Sequence, residues 1–110
     1  MTLIVLLRTR DLAATRHFYA SLLAFEVFDS AERTLTVEKH GGRLIFTEAL
    51  GAPEGFSGTL YFTVPDVDGY FASLSDTVTV AWPLQDTAYG SREFGVVDCN
   101  GYHLAFQQQI

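Results

Sequence analysis

The stretch LLRTRDL at residues 6–12 recurs in outline fifty-five residues later as YFTVPDV at residues 61–67. Each copy is an alternating apolar run that stops at an aspartate and continues into a segment with helical spacing. A second echo relates GGRLIF at residues 41–46 to GYHLAF at residues 101–106, at an offset of sixty. Two copies of one supersecondary unit within 110 residues predict a duplicated fold.

The hydrophobic spacing predicts the order β-α-β-β-β in each copy, and therefore an α+β fold with mixed sheets. One domain is expected, made of a first module at 1–48 and a second at 59–110, joined by the glycine-rich linker 49–58. In the first module we predict strands at 2–9, 25–29, 33–39 and 43–48 and a helix at 12–23. In the second we predict strands at 59–64, 77–82, 92–98 and 102–108, a helix at 67–75 and a loop at 83–91. Hairpin turns are predicted at Gly41-Gly42 and at 98–101.

The two faces of the predicted strands differ in character. One face is apolar, with Leu7, Leu44 and Phe62 as examples, and is expected to pack against the helices. The opposite face mixes polar, aromatic and small side chains, including Tyr61 and His103. In a sheet whose apolar side packs against helices, the mixed polar side has to face solvent, a protein partner or a ligand.

The overall composition narrows the classes of function. A net charge of −6 argues against a nucleic-acid surface and mildly favours cationic over anionic ligands. The single cysteine, Cys99, excludes an intrachain disulfide and a thiolate-rich zinc site. No apolar run reaches 18 residues, and the first residues lack the pattern of a secretory signal. We therefore expect a cytoplasmic protein with no membrane segment.

At this point two segments resemble a known family. RDLAATRHFY at residues 10–19, followed by LLAF at 22–25, is similar to the opening of vicinal-oxygen-chelate proteins, the glyoxalase, bleomycin-resistance and extradiol-dioxygenase relatives. These carry Phe-Tyr and then Leu-Gly-Phe, so Ala24 stands where glycine is usual. YGSREF at 89–94 through DCNG at 98–101 resembles the family's closing strand and Asp-Pro-Asp-Gly turn, with two departures. The resemblance implies paired β-α-β-β-β modules whose curved sheets form a cup-like cavity, usually in a homodimer.

Metal-using members of this family carry ligands on the first and last strands of each module. Counting back seven residues from each helix-capping aspartate reaches Ile4 and Thr59, and the sixty-residue offset relates Ile45 to Ala105. None of these side chains is a good ligand for a first-row metal, which needs at least three good donors. We therefore expect no metal at these positions and no cofactor, and we interpret the four residues as lining of the ligand site.

Five further residues are predicted contacts for a small-molecule ligand. Tyr61 is on the mixed face and could stack on a flat compound, and Trp82 and Tyr89 could close over it. Arg43 and His103 share the polar face. The metal-free bleomycin-resistance-like branch is the one that this chain resembles most, so the expected ligand is an aromatic or cationic compound that is sequestered.

Two other functions remain open from the sequence. One is an enzyme. A metal-dependent lyase, isomerase or dioxygenase of the glyoxalase kind is disfavoured by the poor metal ligands at Ile4, Ile45, Thr59 and Ala105, whereas metal-free acid–base catalysis through His103 or Glu93 stays open. The other is a regulatory or assembly module in which the mixed face contacts protein.

Overall fold

The computed structural model describes residues 3–54 and 57–110, and the chain divides into two compact units, 1–56 and 57–110. The strands and helices of the first unit are β1 Ile4–Arg8, α1 Leu12–His17, β2 Glu26–Asp29, β3 Thr34–Lys39 and β4 Gly42–Thr47. Those of the second are β5 Thr59–Thr63, α2 Val67–Ser73, β6 Thr79–Asp86, β7 Ser91–Val97 and β8 His103–Gln109. The predicted order β-α-β-β-β is confirmed in both. The first two residues of the chain and part of the predicted linker, 55–56, lie outside the described residues.

Each unit contains one four-stranded mixed sheet. The strand orders are β1-β4-β3-β2 and β5-β8-β7-β6, with a parallel pair at the first strand and antiparallel pairs elsewhere. Equivalent residues occupy equivalent registers, since Leu6 pairs with Ile45 in the first sheet and Tyr61 with Ala105 in the second. The α+β class and the mixed sheets predicted from the sequence are therefore confirmed. The described part of the chain contains no helix that is long and apolar enough to span a membrane.

The two helices start in the same way. Asp11 and Asp66 each accept a hydrogen bond from the backbone N–H of the third helical residue, at 3.0 and 3.1 Å. The first helical N–H donates to the side chain of Glu48 in the first unit and to that of Gln108 in the second, at 3.1 and 2.9 Å. These contacts satisfy N–H groups that have no partner within the helix. Because Glu48 and Gln108 are sixty residues apart, the duplication extends to individual hydrogen bonds.

The core of each unit lies between its helix and the apolar face of its sheet. Tyr19 and Phe46 are fully buried in the first unit, and their ring centroids lie 5.2 Å apart. Phe94 and Phe106 are fully buried in the second, 5.4 Å apart. The predicted apolar face is confirmed here, but Leu3 is 80% exposed because it precedes the first residue of β1.

Three local predictions are corrected by the structure. The helix predicted at 12–23 is α-helical only to His17 and continues as a π-helical turn, Phe18–Leu22, a difference that apolar spacing over five residues does not reveal. The first hairpin turns at His40-Gly41 and not at Gly41-Gly42, because His40 and Gly41 both adopt positive φ and Gly42 pairs with Lys39. The segment 83–86, predicted as loop, extends β6 as far as Asp86.

The end of the first helix contains a strained residue. Ala24 has φ = 57°, in the left-handed region that glycine adopts without steric cost, and it is exposed. We expect Ala24→Gly to raise the free energy of unfolding by about 0.5–1 kcal/mol. Relief of the left-handed strain contributes ~1–2 kcal/mol, and the greater freedom of glycine in the unfolded chain offsets part of it. Urea unfolding of both proteins measures the difference.

Ala13→Gly is the matched control. Ala13 is exposed within α1, where glycine costs about 1 kcal/mol. The two substitutions should thus have opposite signs, and a loss of stability in both would contradict the assignment of strain to Ala24.

Candidate functional site

Each sheet has an open face opposite its helix, and the two open faces differ. In the first sheet the middle row of cross-strand neighbours on this face is Leu6, Ile45, Thr36 and Phe28, with Leu6 55% and Phe28 46% exposed at its ends. The predicted contact Arg43 lies one row away, next to Ile4. Its guanidinium donates to Glu38 from Nε at 2.9 Å and from Nη2 at 2.7 Å. Arg43 is therefore already bound by a carboxylate of its own sheet.

The equivalent row of the second sheet is Tyr61, Ala105, Gly95 and Trp82, in that order across β5, β8, β7 and β6. The two central residues are small, and the two outer ones are aromatic. The indole ring of Trp82 lies so close over Gly95 that a Cβ atom on Gly95 would overlap it. Tyr61 is about half exposed at the other end of the row.

A β-bulge places Trp82 on this open face. Val80 pairs with Val96, which is fully buried on the helix side, so regular alternation would direct Trp82 to the helix side as well. The register shifts by one residue between Val80 and Trp82, so that Trp82 pairs with Gly95 instead. A second shift follows around Pro83, which an edge strand such as β6 tolerates at a bulge.

The open face also carries a buried carboxylate. Glu93 is only 3% exposed and accepts three hydrogen bonds. Trp82 Nε1 donates to Oε2 at 3.1 Å, Tyr89 Oη donates to Oε1 at 2.6 Å, and Ser91 Oγ donates to Oε1 at 3.4 Å. All three donors are neutral, and within residues 3–54 and 57–110 no basic side chain forms a salt bridge with Glu93.

Tyr89 reaches this carboxylate from the turn that follows β6. The residue is 67% exposed, and the next residue, Gly90, has a positive φ that shapes the turn. The hydrogen bond to Glu93, and after it a hydrogen bond with Tyr61, raises the pKa of the Tyr89 phenol. Tyr89 is thus held as a neutral donor and is poorly suited to act as a base or a nucleophile at neutral pH.

The predicted site residues fall into two groups. Trp82 and Tyr89 both donate to Glu93 in the second unit, and Tyr61 is linked to them by a hydrogen bond with Tyr89. The other predicted residues of that unit are Thr59 and His103, which pair in the adjacent row, and Ala105, which is fully buried and therefore out of reach of a ligand in this conformation. Those of the first unit are Ile4, Ile45 and Arg43.

The residues at the four family-type ligand positions do not fit a metal ion. Ile4, Ile45 and Ala105 offer no donor atom, and Thr59 offers one neutral hydroxyl, whereas first-row metals prefer several imidazole, thiolate or carboxylate ligands. Across the described residues, no three His, Cys, Asp or Glu side chains are grouped closely enough to hold a metal.

Two further residues, Ser91 beside Glu93 and Gly95 beside Trp82, were not predicted. The sequence does not indicate a role for Ser91 in the site, because a serine after Tyr-Gly is typical of an ordinary turn. Gly95 does give a signal, since a single glycine within a strand often marks close approach of another group to the backbone. Glu93 was named from the sequence as a candidate acid–base residue, but its hydrogen bonds to Trp82 and Tyr89 could not be foreseen.

A separate cavity of about 380 Å³ lies beside α2 and the start of β6. Its lining includes Phe71, Leu74, Val78 and Val80 and contains no predicted site residue.

The family described as Glyoxalase/Bleomycin resistance protein/Dioxygenase superfamily matches residues 3–106. No curated protein matches the sequence.

Solved structures share the fold at low sequence identity. TioX from Micromonospora sp. ML1 is 20% identical with a TM-score of 0.80, over 100% of this chain and 99% of that one. A glyoxalase/bleomycin resistance protein from Streptomyces sp. CB03234 is 20% identical with a TM-score of 0.80, over 98% and 100%. A glyoxalase/bleomycin resistance protein/dioxygenase from Alicyclobacillus acidocaldarius is 16% identical with a TM-score of 0.80, over 100% and 92%. At such identities the likeness shows the fold.

Proposed function

The chain belongs to the glyoxalase/bleomycin resistance protein/dioxygenase superfamily, and from this premise we propose that it binds a small molecule without a family-type metal site. The ligand is an aromatic or cationic compound, of the bleomycin type or another, that is sequestered and left chemically unchanged. The open face of the second sheet, around Tyr61 and Trp82, holds it.

One observation carries this proposal. The positions where a metal would be expected have side chains that cannot hold it, while the open face of the second sheet carries aromatic rings. Tyr61 and Trp82 are at the two ends of a row whose central residues, Ala105 and Gly95, are the smallest available. The indole of Trp82 packs flat over Gly95, and both rings are partly exposed surfaces on which a flat ligand can stack, because rings supply large contact area with little loss of conformational entropy.

The proposal extends to assembly and location. We propose a homodimer, as the resemblance of the sequence to the family implies, and a cytoplasmic location, as expected from the composition of the sequence. Sedimentation of the purified protein gives its mass in solution, and a mass of one chain at micromolar concentration would contradict the dimer.

The alternative within the same superfamily is a metal-dependent lyase, isomerase or dioxygenase. It requires a cation held by donors that Ile4, Ile45, Thr59 and Ala105 do not provide. A thermal-shift screen separates the two functions: flat aromatic and cationic compounds are tested with and without Mn²⁺, Ni²⁺ or Zn²⁺. A compound at 100 times its Kd adds about 2.7 kcal/mol to the free energy of unfolding. We expect the melting temperature to rise by roughly 10 °C or more with such a compound and to be unchanged by the ions alone.

Three variants and an elemental analysis complete this test. Tyr61→Ala and Trp82→Ala should abolish most of the shift, whereas Phe28→Ala, which removes a half-exposed ring from the first sheet, should preserve it. After dialysis, the protein should contain far less than one divalent metal per chain. A stoichiometric metal that also raises the melting temperature would favour the enzyme and refute the binding proposal.

A further inference from the structure

Glu93 is a carboxylate withdrawn from water, and no basic side chain in the part of the chain that the structure describes forms a salt bridge with it. Burial of an ionised group is costly unless it is paired, and neutral donors compensate only part of the lost hydration. The three donors to Glu93 are the indole of Trp82, the phenol of Tyr89 and the hydroxyl of Ser91. A carboxylate has about four acceptor positions, so the arrangement can accept a further or a better donor.

The three donors are not equally fixed. Trp82 and Ser91 belong to β6 and β7, and each is held by the sheet itself. Ser91 is also bound by Thr87, with the two hydroxyl oxygens 2.9 Å apart. Tyr89 alone comes from an exposed turn, and its residue is 67% exposed. Because Tyr89 is so exposed, displacing its hydroxyl from Oε1 of Glu93 would break few packing contacts.

We infer that Glu93 is the anchor for a cationic nitrogen of the ligand, and that this nitrogen takes the place of the Tyr89 hydroxyl on Oε1. The inference rests on the proposed function and specifies its ligand class: a flat aromatic body with an amidinium, guanidinium or protonated amine at its edge. A charged N–H donor makes a stronger hydrogen bond to a carboxylate than a phenol does. Trp82, which shares the carboxylate, contacts the aromatic body, and Tyr89 moves aside and then covers the ligand.

The matched probes are 2-naphthamidine and 2-naphthamide, which have nearly the same shape and differ in charge at neutral pH. Isothermal titration calorimetry of the full chain gives the Kd of each. We expect the wild type to bind the amidine at least about tenfold more tightly than the amide. Glu93→Gln keeps the shape of the side chain and removes its charge, so the ratio should fall to about two or less. Glu26→Gln removes one negative charge from the exposed strand β2 of the first sheet, and the ratio should be unchanged.

Tyr89→Phe gives an independent measurement that leaves the carboxylate in place. Without its hydroxyl, Tyr89 no longer competes for Oε1, so the amidine should bind about threefold or more tightly than to the wild type. If Glu93→Gln does not fold, Tyr89→Phe alone tests whether the ligand replaces the Tyr89 hydroxyl on Glu93. An unchanged or weaker affinity in Tyr89→Phe, or an unchanged ratio in folded Glu93→Gln, would overturn the inference.

The failure of this inference can be distinguished from failure of the proposed function. Equal binding of amidine and amide to the wild type would overturn the role of Glu93 and still support a site for flat aromatic compounds. Absence of binding by either probe, together with stabilisation by divalent ions alone, would overturn both.

Discussion

Phe106→Ala is expected to lower the free energy of unfolding by about 3–5 kcal/mol, the range for a fully buried phenylalanine. Phe106 is completely buried and is the centre of the aromatic core of the second unit. Its ring centroid lies 5.5 Å from that of Phe62, 4.9 Å from that of Tyr70 and 5.4 Å from that of Phe94. These rings come from β5, α2 and β7, so the cavity left by the substitution would disconnect three elements.

Urea unfolding followed by circular dichroism measures this loss. A domain of this size has a total stability of about 5–15 kcal/mol, so the variant should unfold at a much lower urea concentration. Phe46→Ala is the counterpart sixty residues earlier and is equally buried, so a loss of similar size is expected. Phe28→Ala, at a site that is 46% exposed, should cost less than about 1 kcal/mol. A loss below about 1 kcal/mol for Phe106→Ala would contradict its place at the centre of the core.

Gly95→Ala is expected to displace the indole of Trp82 from the open face of the second sheet. The added methyl group would occupy space that the ring now fills, and the ring would lose its hydrogen bond to Glu93. We expect a loss of about 1–3 kcal/mol in stability, typical of an overpacked site. The affinity for any compound held by Trp82 should fall about tenfold or more. Because Trp82 is the only tryptophan, its fluorescence should shift to longer wavelength as it becomes exposed.

A double-mutant cycle tests the cause of this effect. In the Trp82→Ala background the indole is absent, so Gly95→Ala should cost close to nothing, because a methyl group then has room. The coupling between the two sites should therefore be of the same size as the cost of Gly95→Ala alone. Equal costs in both backgrounds would show that the methyl group clashes with something other than the ring.

Much of the fold was predictable because it depends on short-range patterns. The offset of sixty residues correctly related Phe46 to Phe106, and both are fully buried. Asp11 and Asp66 were expected to start helices, and both side chains cap the helix that follows. A helix start needs one acceptor close to a few N–H groups, so neighbouring residues are sufficient to specify it.

The turns and strand ends were less predictable. His40 takes positive φ beside Gly41, although positive φ is uncommon for residues other than glycine. Pro83 suggested the end of a strand, but β6 continues to Asp86 because it is an edge strand and bulges at this point. A proline lacks a backbone donor, and an edge strand can dispense with one of its hydrogen bonds.

The surroundings of the candidate site residues were predictable only in part, and their role in ligand binding stays a prediction. Trp82 and Tyr89, both named from the sequence, share the carboxylate of Glu93, whereas Arg43, named by the same reasoning, is bound to Glu38 in the other unit. Alternation along a strand tells which residues share a face, but it does not tell which side chains already have partners.

The sequence by itself determined the duplication, the helix caps and the side chains at the four family-type ligand positions, because these follow from residue identity and from spacing along the chain. Only the tertiary structure decided that Trp82 lies on the open face, over Gly95, and that three neutral donors converge on Glu93. The reason is that a bulge forms between two paired strands. One extra residue in β6 between Val80 and Trp82 moves Trp82 to the opposite face of the sheet, and the alternation of residues along β6 alone does not show it because the bulge depends on pairing with β7.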